Sequence, residues 1–496
     1  MTYLITFADE HVSFRAREGM TLLEAQIEAG LHPDAFCGGK GTCGKCRVSV
    51  EGKSVLACRT LIDRDMVVYT GKAKKEETQI LMKGTGRQIL FSPGGLPGNV
   101  ETPLIAAVDV GSTTVVAYLM DGTNGKQLGV RSILNPQRQY GADVVSRCSY
   151  ALENGEEALS GCIRRAANEL LRELAAQCGR HSEEIVRIVM VGNCCMHHLF
   201  LGISTETLVL APYTPKVTET LRLSAADYGL HVHPEAELVW LSNIGGFVGS
   251  DTLGCILASD LEQREHLTLL VDIGTNGEIV LGDRSGLTSC STAAGPAFEG
   301  AKITCGMRGS AGAIDHVYLE DGKVKYHVIG EGEPVGICGS GLLDAAACFL
   351  KQGIMDESGR MAETYHFTDQ VFLNQRDIRE LQLAKAAIAA GIQILCRRRG
   401  VEPGQVDQLL IAGAFGNYLN PDSACDIGML PKELKGRIRS IGNGAGEGAS
   451  IAALNQWELQ KSIRLAKETE FLELALDPDF QDIYVDELGF PEEMTE

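Results

Sequence analysis

Four cysteines near the start of the chain, Cys37, Cys43, Cys46 and Cys58, stand in the runs CGGKGTCGKC and VLACRT. Their spacing, C-x5-C-x2-C with a fourth cysteine after eleven residues, is close to the C-x4-C-x2-C…C pattern by which four thiolates hold a [2Fe–2S] cluster. Each iron of such a cluster takes two sulfur ligands besides the bridging sulfides, so four thiolates are needed. Gly38, Gly39, Gly41 and Gly44 let the backbone wrap closely and aim N–H groups at sulfur. A structural zinc site and idle thiols are the other readings of the same letters. Two phosphate-binding readings fail. GKGTCG fits G-x-G-x-x-G, and GKGTCGKC is one residue from a Walker A loop with Cys46 where Ser or Thr should hold Mg²⁺. Both need a helix after the loop, and the strand-like KCRVSV follows instead.

A second chemistry lies further on. LIAAVDVGSTTVVAYLM is an apolar strand, a glycine turn and a second strand, and VDIGTNGEIVL repeats the device. Asp-x-Gly is a common hairpin turn, so one such hairpin means little. Two of them, with Asp109 and Asp272 about 160 residues apart, imply two lobes clamping one nucleotide. The duplicated hairpin resembles the phosphate-binding signature of the actin, sugar-kinase and heat-shock-chaperone ATPases. In that reading Gly111, Ser112, Thr113 and Thr114 and, in the second turn, Gly274, Thr275, Asn276, Gly277 and Glu278 meet the phosphates of ATP through backbone N–H groups and hydroxyls. Asp109 and Asp272 would hold hydrated Mg²⁺ or orient water. Asp251, opening the helix in VGSDTLGCILASDL, is the candidate for positioning the attacking water; an acid favoured by the helix dipole is its plainer reading. QVDQLLIAGAFGNYLN supplies an adenosine turn, in which Gly413, Ala414, Phe415, Gly416 and Asn417 would lie against adenine and ribose.

These groups need elements to carry them. TYLITFA and HVSFRA read as paired strands, TLLEAQIEAG as a short helix, and KCRVSVEGKSVLACRT as two strands that return Cys58 to the loop, a small β-grasp-like sheet crossed by a helix. The charged run KAKKEET and the Pro- and Gly-rich FSPGGLPGNVETP form a linker. The division is a [2Fe–2S] module over 1–72, a linker over 73–103, ATPase lobe I over 104–265 and lobe II over 266–496 with an acidic tail. The fold class is an α+β ferredoxin followed by a two-lobed α/β ATPase of the actin-like, ribonuclease H-like fold.

FCGGKGTCGKCRV…VLACRT resembles the ferredoxin-like activators of corrinoid proteins, and several later segments resemble the same family. They are VGNCCMHHLFLG with Asn193, AAGPAFEGAKI with Pro296 and Glu299 at a helix entrance, the run over 336–344, and GNGAGEGA. The resemblance covers nearly the whole chain. It implies ATP-dependent one-electron reduction of cob(II)amide to cob(I)amide, a [2Fe–2S] cluster, ATP and Mg²⁺ as cofactors, and a corrinoid protein of a methyltransferase system as partner. It also implies a low-potential donor upstream, and it is compatible with a homodimer. Two departures matter: Cys194-Cys195 replaces small hydroxyl residues after VGN, and the linker is short. The pair His197-His198 suggests a metal, but adjacent residues face different sides of a helix.

The 496 residues exceed what one core usually holds. A formal charge of −20, with no basic run longer than Arg397-Arg398-Arg399, argues against nucleic acid. The start of the chain lacks a signal-peptide pattern and no apolar run could span a bilayer, so a cytoplasmic protein is expected, with 16 cysteines kept mostly as reduced thiols. Three other functions fit parts of the pattern. They are a redox-sensing regulator on an ATPase fold, an ATP-gated donor to another low-potential enzyme, and a small-molecule kinase with a fused ferredoxin.

Overall fold

A computed structural model describes all residues except 1, 32, 34, 36, 43, 72–84, 98, 99, 142, 211, 212, 331, 417 and 492–496. Cys43, Asn417 and the charged run KAKKEET therefore lie outside the described residues. In the N-terminal module β1 (Thr2–Phe7) and β2 (Val12–Arg17) pair antiparallel, α1 (Leu22–Glu28) follows, and β3 (Arg47–Val50) and β4 (Lys53–Leu56) flank the EGK turn. A capping box fixes the start of α1: Thr21 Oγ1 accepts from Glu24 N at 3.1 Å while Thr21 N donates to Glu24 at 2.7 Å. β5 (Met66–Tyr69), which the motif reading does not include, lies between β1 and β3 and closes the sheet in the order β2-β1-β5-β3-β4. Ile5, Phe7, Val48, Met66 and Val68 meet Leu22 and Leu23 of α1 in a core of the module's own.

The elements from β6 (Leu104–Val110) to α6 (Ser250–Ser259) build the first lobe. β6, β7 (Thr114–Asp121) and β8 (Gln127–Leu134) form a meander, followed by α2 (Val144–Asn154), α3 (Glu157–Gln177), β9 (Ile185–Val191), α4 (Cys194–Leu201) and the single turn α5 (Glu206–Val209). β10 (Leu221–Ser224), β11 (Glu237–Trp240) and α6 (Ser250–Ser259) complete it. The sheet runs β10-β11-β9-β6-β7-β8, with β9 and β11 parallel to β6.

The second lobe repeats this plan. β12 (Thr268–Ile273), β13 (Gly277–Asp283) and β14 (Gly286–Thr292) form the meander; β15 (Ala313–Glu320), β16 (Lys323–Val328) and β17 (Gly336–Ile337) make a small side sheet before α7 (Gly339–Lys351). After β18 (Tyr365–His366), β19 (Phe372–Leu373) and the long α8 (Gln375–Arg399) come β20 (Gln408–Ala412), the turn α9 (Gly413–Gly416) and α10 (Pro421–Asp426). β21 (Ile438–Gly442), α11 (Gly444–Leu454) and α12 (Gln456–Glu468) follow, then β22 (Glu470–Phe471) and α13 (Phe480–Asp486). The order β21-β20-β12-β13-β14-β22 matches that of lobe I strand for strand over the first meander and the two parallel strands after it. β22 pairs with β14, and Gln393 of α8 bonds Glu487 after α13, so the acidic tail packs on its own lobe.

Between the lobes α6 and α11 cross in an apolar layer shared by Ala107, Val116, Leu270 and Leu410 of the two sheets. The crossing is close because it is made of glycine: a Cβ at Gly254 would sit 2.7 Å from Ala445 O, and one at Gly448 would overlap the Gly254 carbonyl. Residues 85–97 of the linker form a strap over this layer. The Thr85 hydroxyl bonds Glu447 of α11 at 2.6 Å, Arg87 pairs with Glu458 at 2.7 Å and reaches Leu257 O of α6 at 2.9 Å, and Asn455 Nδ2 donates to Leu90 O at 2.8 Å. We expect Gly448→Ala to destabilise by about 1–3 kcal/mol or more in urea unfolding, since neither backbone can yield. Gly161→Ala on α3, where the added methyl meets only the tip of Arg165, should be neutral or stabilising.

Candidate functional site

The two hairpin turns face each other across a cleft lined by Asp109, Gly111, Ser112, Thr113 and Thr114 from one lobe and Asp272, Gly274, Thr275, Asn276 and Glu278 from the other. Asp251, at the start of α6, joins them. Of the adenosine turn, Gly413 and Phe415 reach the cleft, and Phe415 stacks on Phe298 at 5.2 Å. Gly277 and Gly416 do not line it. The glycines of this turn answer to packing first: a Cβ at Gly413 would lie 2.6 Å from Asp272 Oδ1, and one at Gly416 would strike Ile411.

Two asparagines that motif reading leaves unassigned hold the turns in place. Asn193 caps α4, accepting from Met196 N at 3.0 Å, and its Nδ2 donates to Ser112 Oγ at 2.9 Å. Asn443 caps α11 through Gly446 N at 2.9 Å, and its Nδ2 donates to Asp109 Oδ2 at 3.0 Å. Each follows a glycine at a strand end, Gly192-Asn193 after β9 and Gly442-Asn443 at β21, so a repeated apolar-Gly-Asn was the signal available. One expectation needs correction. Pro296 and Glu299 do not open a helix but occupy a turn, and the Glu299 carboxylate lies in the cleft. Proline fixes φ without requiring a helix, and Gly295 and Gly300 on either side have φ of +74°, which ends any helical course.

Burial in this acidic cleft favours protonated carboxyls. Burial, and then the neighbouring Asp272, lifts Asp251 to about 8; burial chiefly lifts Asp109 to about 7, against the Asn443 hydrogen bond, and Asp272 to about 6. Glu278 is raised by burial and by Asp251. A divalent cation and backbone donors suit such a group of oxygens, and the residues fit a nucleotide with Mg²⁺.

The paired histidines are structural. His198 Nδ1 lies 2.7 Å from Cys194 O and its Nε2 accepts from Lys216 N at 3.0 Å; His197 packs on Trp240 with ring centroids 5.0 Å apart, and burial pushes it down to about 3. Cys194 and Cys195 are buried, with Cys195 Sγ 2.9 Å from Cys148 Sγ. They offer no donor to the cleft.

At the cysteine loop Cys46 and Cys58 are buried with their sulfurs 3.3 Å apart, and Cys37 is half-buried. That separation is too long for a disulfide and near the roughly 3.8 Å edge between two thiolates on one tetrahedral metal with bonds of about 2.3 Å. Gly38, Gly39, Gly41 and Gly44 all have positive φ, from 59° to 83°, and Arg59 Nη2 donates to Lys40 O at 2.6 Å across the loop. These residues fit an iron–sulfur group. The loop rests on both lobes: a Cβ at Gly38 would lie 2.9 Å from Tyr140 O, and Lys45 Nζ lies 3.5 Å from Ile303 O.

The sign of the cleft's pH effect follows from the raised carboxyls. The folded protein binds protons that the unfolded chain releases, so stability falls as pH rises from near 4, the ordinary value, to about 8. Calorimetry from about pH 5.5 to about pH 8 should show this fall, Asp251→Asn should flatten it, and Mg²⁺ with nucleotide should offset it most at the alkaline end.

Family models match three successive stretches: a 2Fe-2S iron-sulfur cluster binding domain over residues 5–67, the RACo middle region over 104–264, and the C-terminal domain of RACo, the ASKHA domain, over 266–496. The chain is similar to the corrinoid activation enzyme RamQ of Eubacterium limosum, with 31% identity over 558 aligned positions that cover 92% of this chain and 94% of that protein. It is also similar to the [Co(II) methylated amine-specific corrinoid protein] reductase of Methanosarcina barkeri, 27% identical over 393 positions, 71% of this chain and 70% of that one. Among solved structures it resembles a reductive activator for corrinoid, iron-sulfur protein, with a TM-score of 0.73 and 28% identity over 99% of this chain and 98% of the other. Among the described residues no helix is long and apolar enough to cross a membrane. With an iron–sulfur module ahead of an ASKHA body, and with this likeness running through both, the chain belongs to the family of reductive activators of corrinoid proteins.

Proposed function

We propose that this chain reduces the Co(II) of a corrinoid protein to Co(I), one electron per event, and that ATP drives the step. The observation that carries the reading is the contact of the cysteine loop with both lobes of the phosphate cleft, through Gly38 at Tyr140 and Lys45 at Ile303. The names of the relatives, all activators or reductases of corrinoid proteins, support the same substrate class.

Cys37, Cys43, Cys46 and Cys58 would hold a [2Fe–2S] cluster, which would supply one-electron chemistry at a potential near −400 mV for clusters of plant type. Burial of Cys46 and Cys58 keeps water from the sulfurs. The turns around Ser112 to Thr114 and around Thr275 would hold the triphosphate, Asp109 and Asp272 would hold Mg²⁺, and Asp251 would orient water. Each 59 mV of unfavourable one-electron gap costs about a factor of ten, and a Co(II) corrinoid lies below the cluster. ATP can offset this only by favouring one conformation over another. Closure of the lobes about the α6–α11 crossing is that change, and the strap at Thr85 and Arg87 carries it toward the cluster module. The partner is a corrinoid protein of a methyltransferase system, with a low-potential donor upstream, in the cytoplasm.

Anaerobically reconstituted, pre-reduced protein should convert a Co(II) corrinoid protein to the Co(I) spectrum with ATP and at least about tenfold more slowly without it. Cys46→Ser should lose the reduced-cluster EPR signal and the conversion together. Equal conversion without ATP would sink the coupling. Nucleotide-dependent partner binding with no Co(I) would favour a regulator instead.

A further inference from the structure

Glu299 is a carboxylate that the nucleotide reading does not use. Its Oε2 accepts from Thr113 Oγ1 at 2.9 Å and its Oε1 from Thr275 Oγ1 at 2.7 Å. The two hydroxyls belong to opposite lobes, and each is a donor that a phosphate oxygen in the cleft would take. A hydroxyl has one proton to give. Each threonine can therefore serve the carboxylate or a phosphate, not both.

The turn that carries Glu299 is held firmly behind it. Glu299 N donates to Pro296 O at 3.2 Å and Gly300 N to Ala297 O at 2.9 Å. Gly300 has no room for a side chain, since a Cβ would lie 2.6 Å from Met307 N. Four residues on, Ile303 O meets Lys45 Nζ at 3.5 Å, and Lys45 directly precedes Cys46. Lobe I has a matching route. Asn135 donates through Nδ2 to Gly111 O and through its backbone to Thr113 O, both at 2.8 Å, and Tyr140, five residues on, is the carbonyl against Gly38. These two contacts between the ATPase body and described residues of the cysteine loop thus lie within five residues of a group bonded to a phosphate hairpin.

We propose that Glu299 is a positioning residue that occupies the phosphate place, and that the terminal phosphate of ATP displaces it and so shifts the 299–303 segment against Lys45. The inference rests on reading the cleft as the nucleotide site. Two anions cannot share the same pair of donors without repulsion, and in a cleft partly closed to water that repulsion is strong. The carboxylate reports occupancy by the far end of the nucleotide alone. AMP, which lacks that end, leaves the Thr113–Glu299–Thr275 bridge intact.

The test uses the full-length, cluster-loaded protein and its Glu299→Gln variant, matched in melting temperature, titrated with ATP and with AMP. The variant keeps the shape and removes the charge. We expect it to bind ATP at least about tenfold more tightly and AMP unchanged. Hydrogen exchange in the peptide containing Lys45 should rise on adding ATP, not AMP, to the wild type. In Glu299→Ala it should already be raised without nucleotide. A lower kcat with unchanged ATP affinity would make Glu299 a catalytic group and overturn the proposal, as would exchange at Lys45 indifferent to ATP. Absence of ATP binding by either protein would overturn the cleft reading and this inference with it, whereas tight ATP binding that ignores the substitution would overturn the role of Glu299 alone.

Discussion

The constraint on which the two-lobed body depends is the convergence of carboxyls in one enclosed cleft. Asp109, Asp251, Asp272 and Glu278 are brought together from β6, α6, β12 and β13; burial raises every one of them, and repulsion from a neighbouring carboxyl adds to it at Asp109, Asp251 and Glu278. Such a group is held only by a framework that resists its separation. That framework includes the repeated sheets, the Asn443 amide on Asp109, and the glycine crossing of α6 with α11. The same unfavourable charge makes the cleft receptive to a cation, which neutralises the carboxyls and gives phosphates a positive partner beside them.

Much of this was legible in the sequence where the cause is local. The Asp-x-Gly turns at Asp109 and Asp272 join strands of strong apolar character, and both hairpins form as read, with Val110 opposite Val115 and Ile273 opposite Gly277. The cysteine loop is also local, and the Thr21 capping box marks the helix before it. What escaped is long-range. Thr85 and Glu447 lie 362 positions apart, so nothing in the linker's Pro and Gly content reveals that it straps α11. Glu299 looked like a helix-entry acid because its neighbours Pro296 and Ala297 suit one; only the opposed lobes give its carboxylate two hydroxyls. The Asn193 and Asn443 pair was visible as a repeat, but capping explains an asparagine at a helix start well enough to hide its second bond.

The histidine and cysteine pairs show the opposite case, in which suggestive letters carry no site chemistry. His197 is stripped of water and stacked on Trp240, which makes it a large core residue with one satisfied nitrogen. Cys195 packs against Cys148 in the lobe I core. In both, packing settles the role that composition left open: the His197 ring and the Cys195 thiol are taken up by Trp240 and Cys148.

The seating of the cysteine loop on Tyr140 and Ile303 also bears on how a partner is met. Between Gly71 and Thr85 the chain can extend no more than about 50 Å, and the strap fixes its far end on α11. The iron–sulfur module therefore remains at a high effective concentration beside its own ATPase body. A partner that took up the seated face of the loop would compete with this intramolecular seat, and weakening the contacts of Gly38 at Tyr140 and Lys45 at Ile303 by about 1.4 kcal/mol would multiply the free fraction of the loop about tenfold.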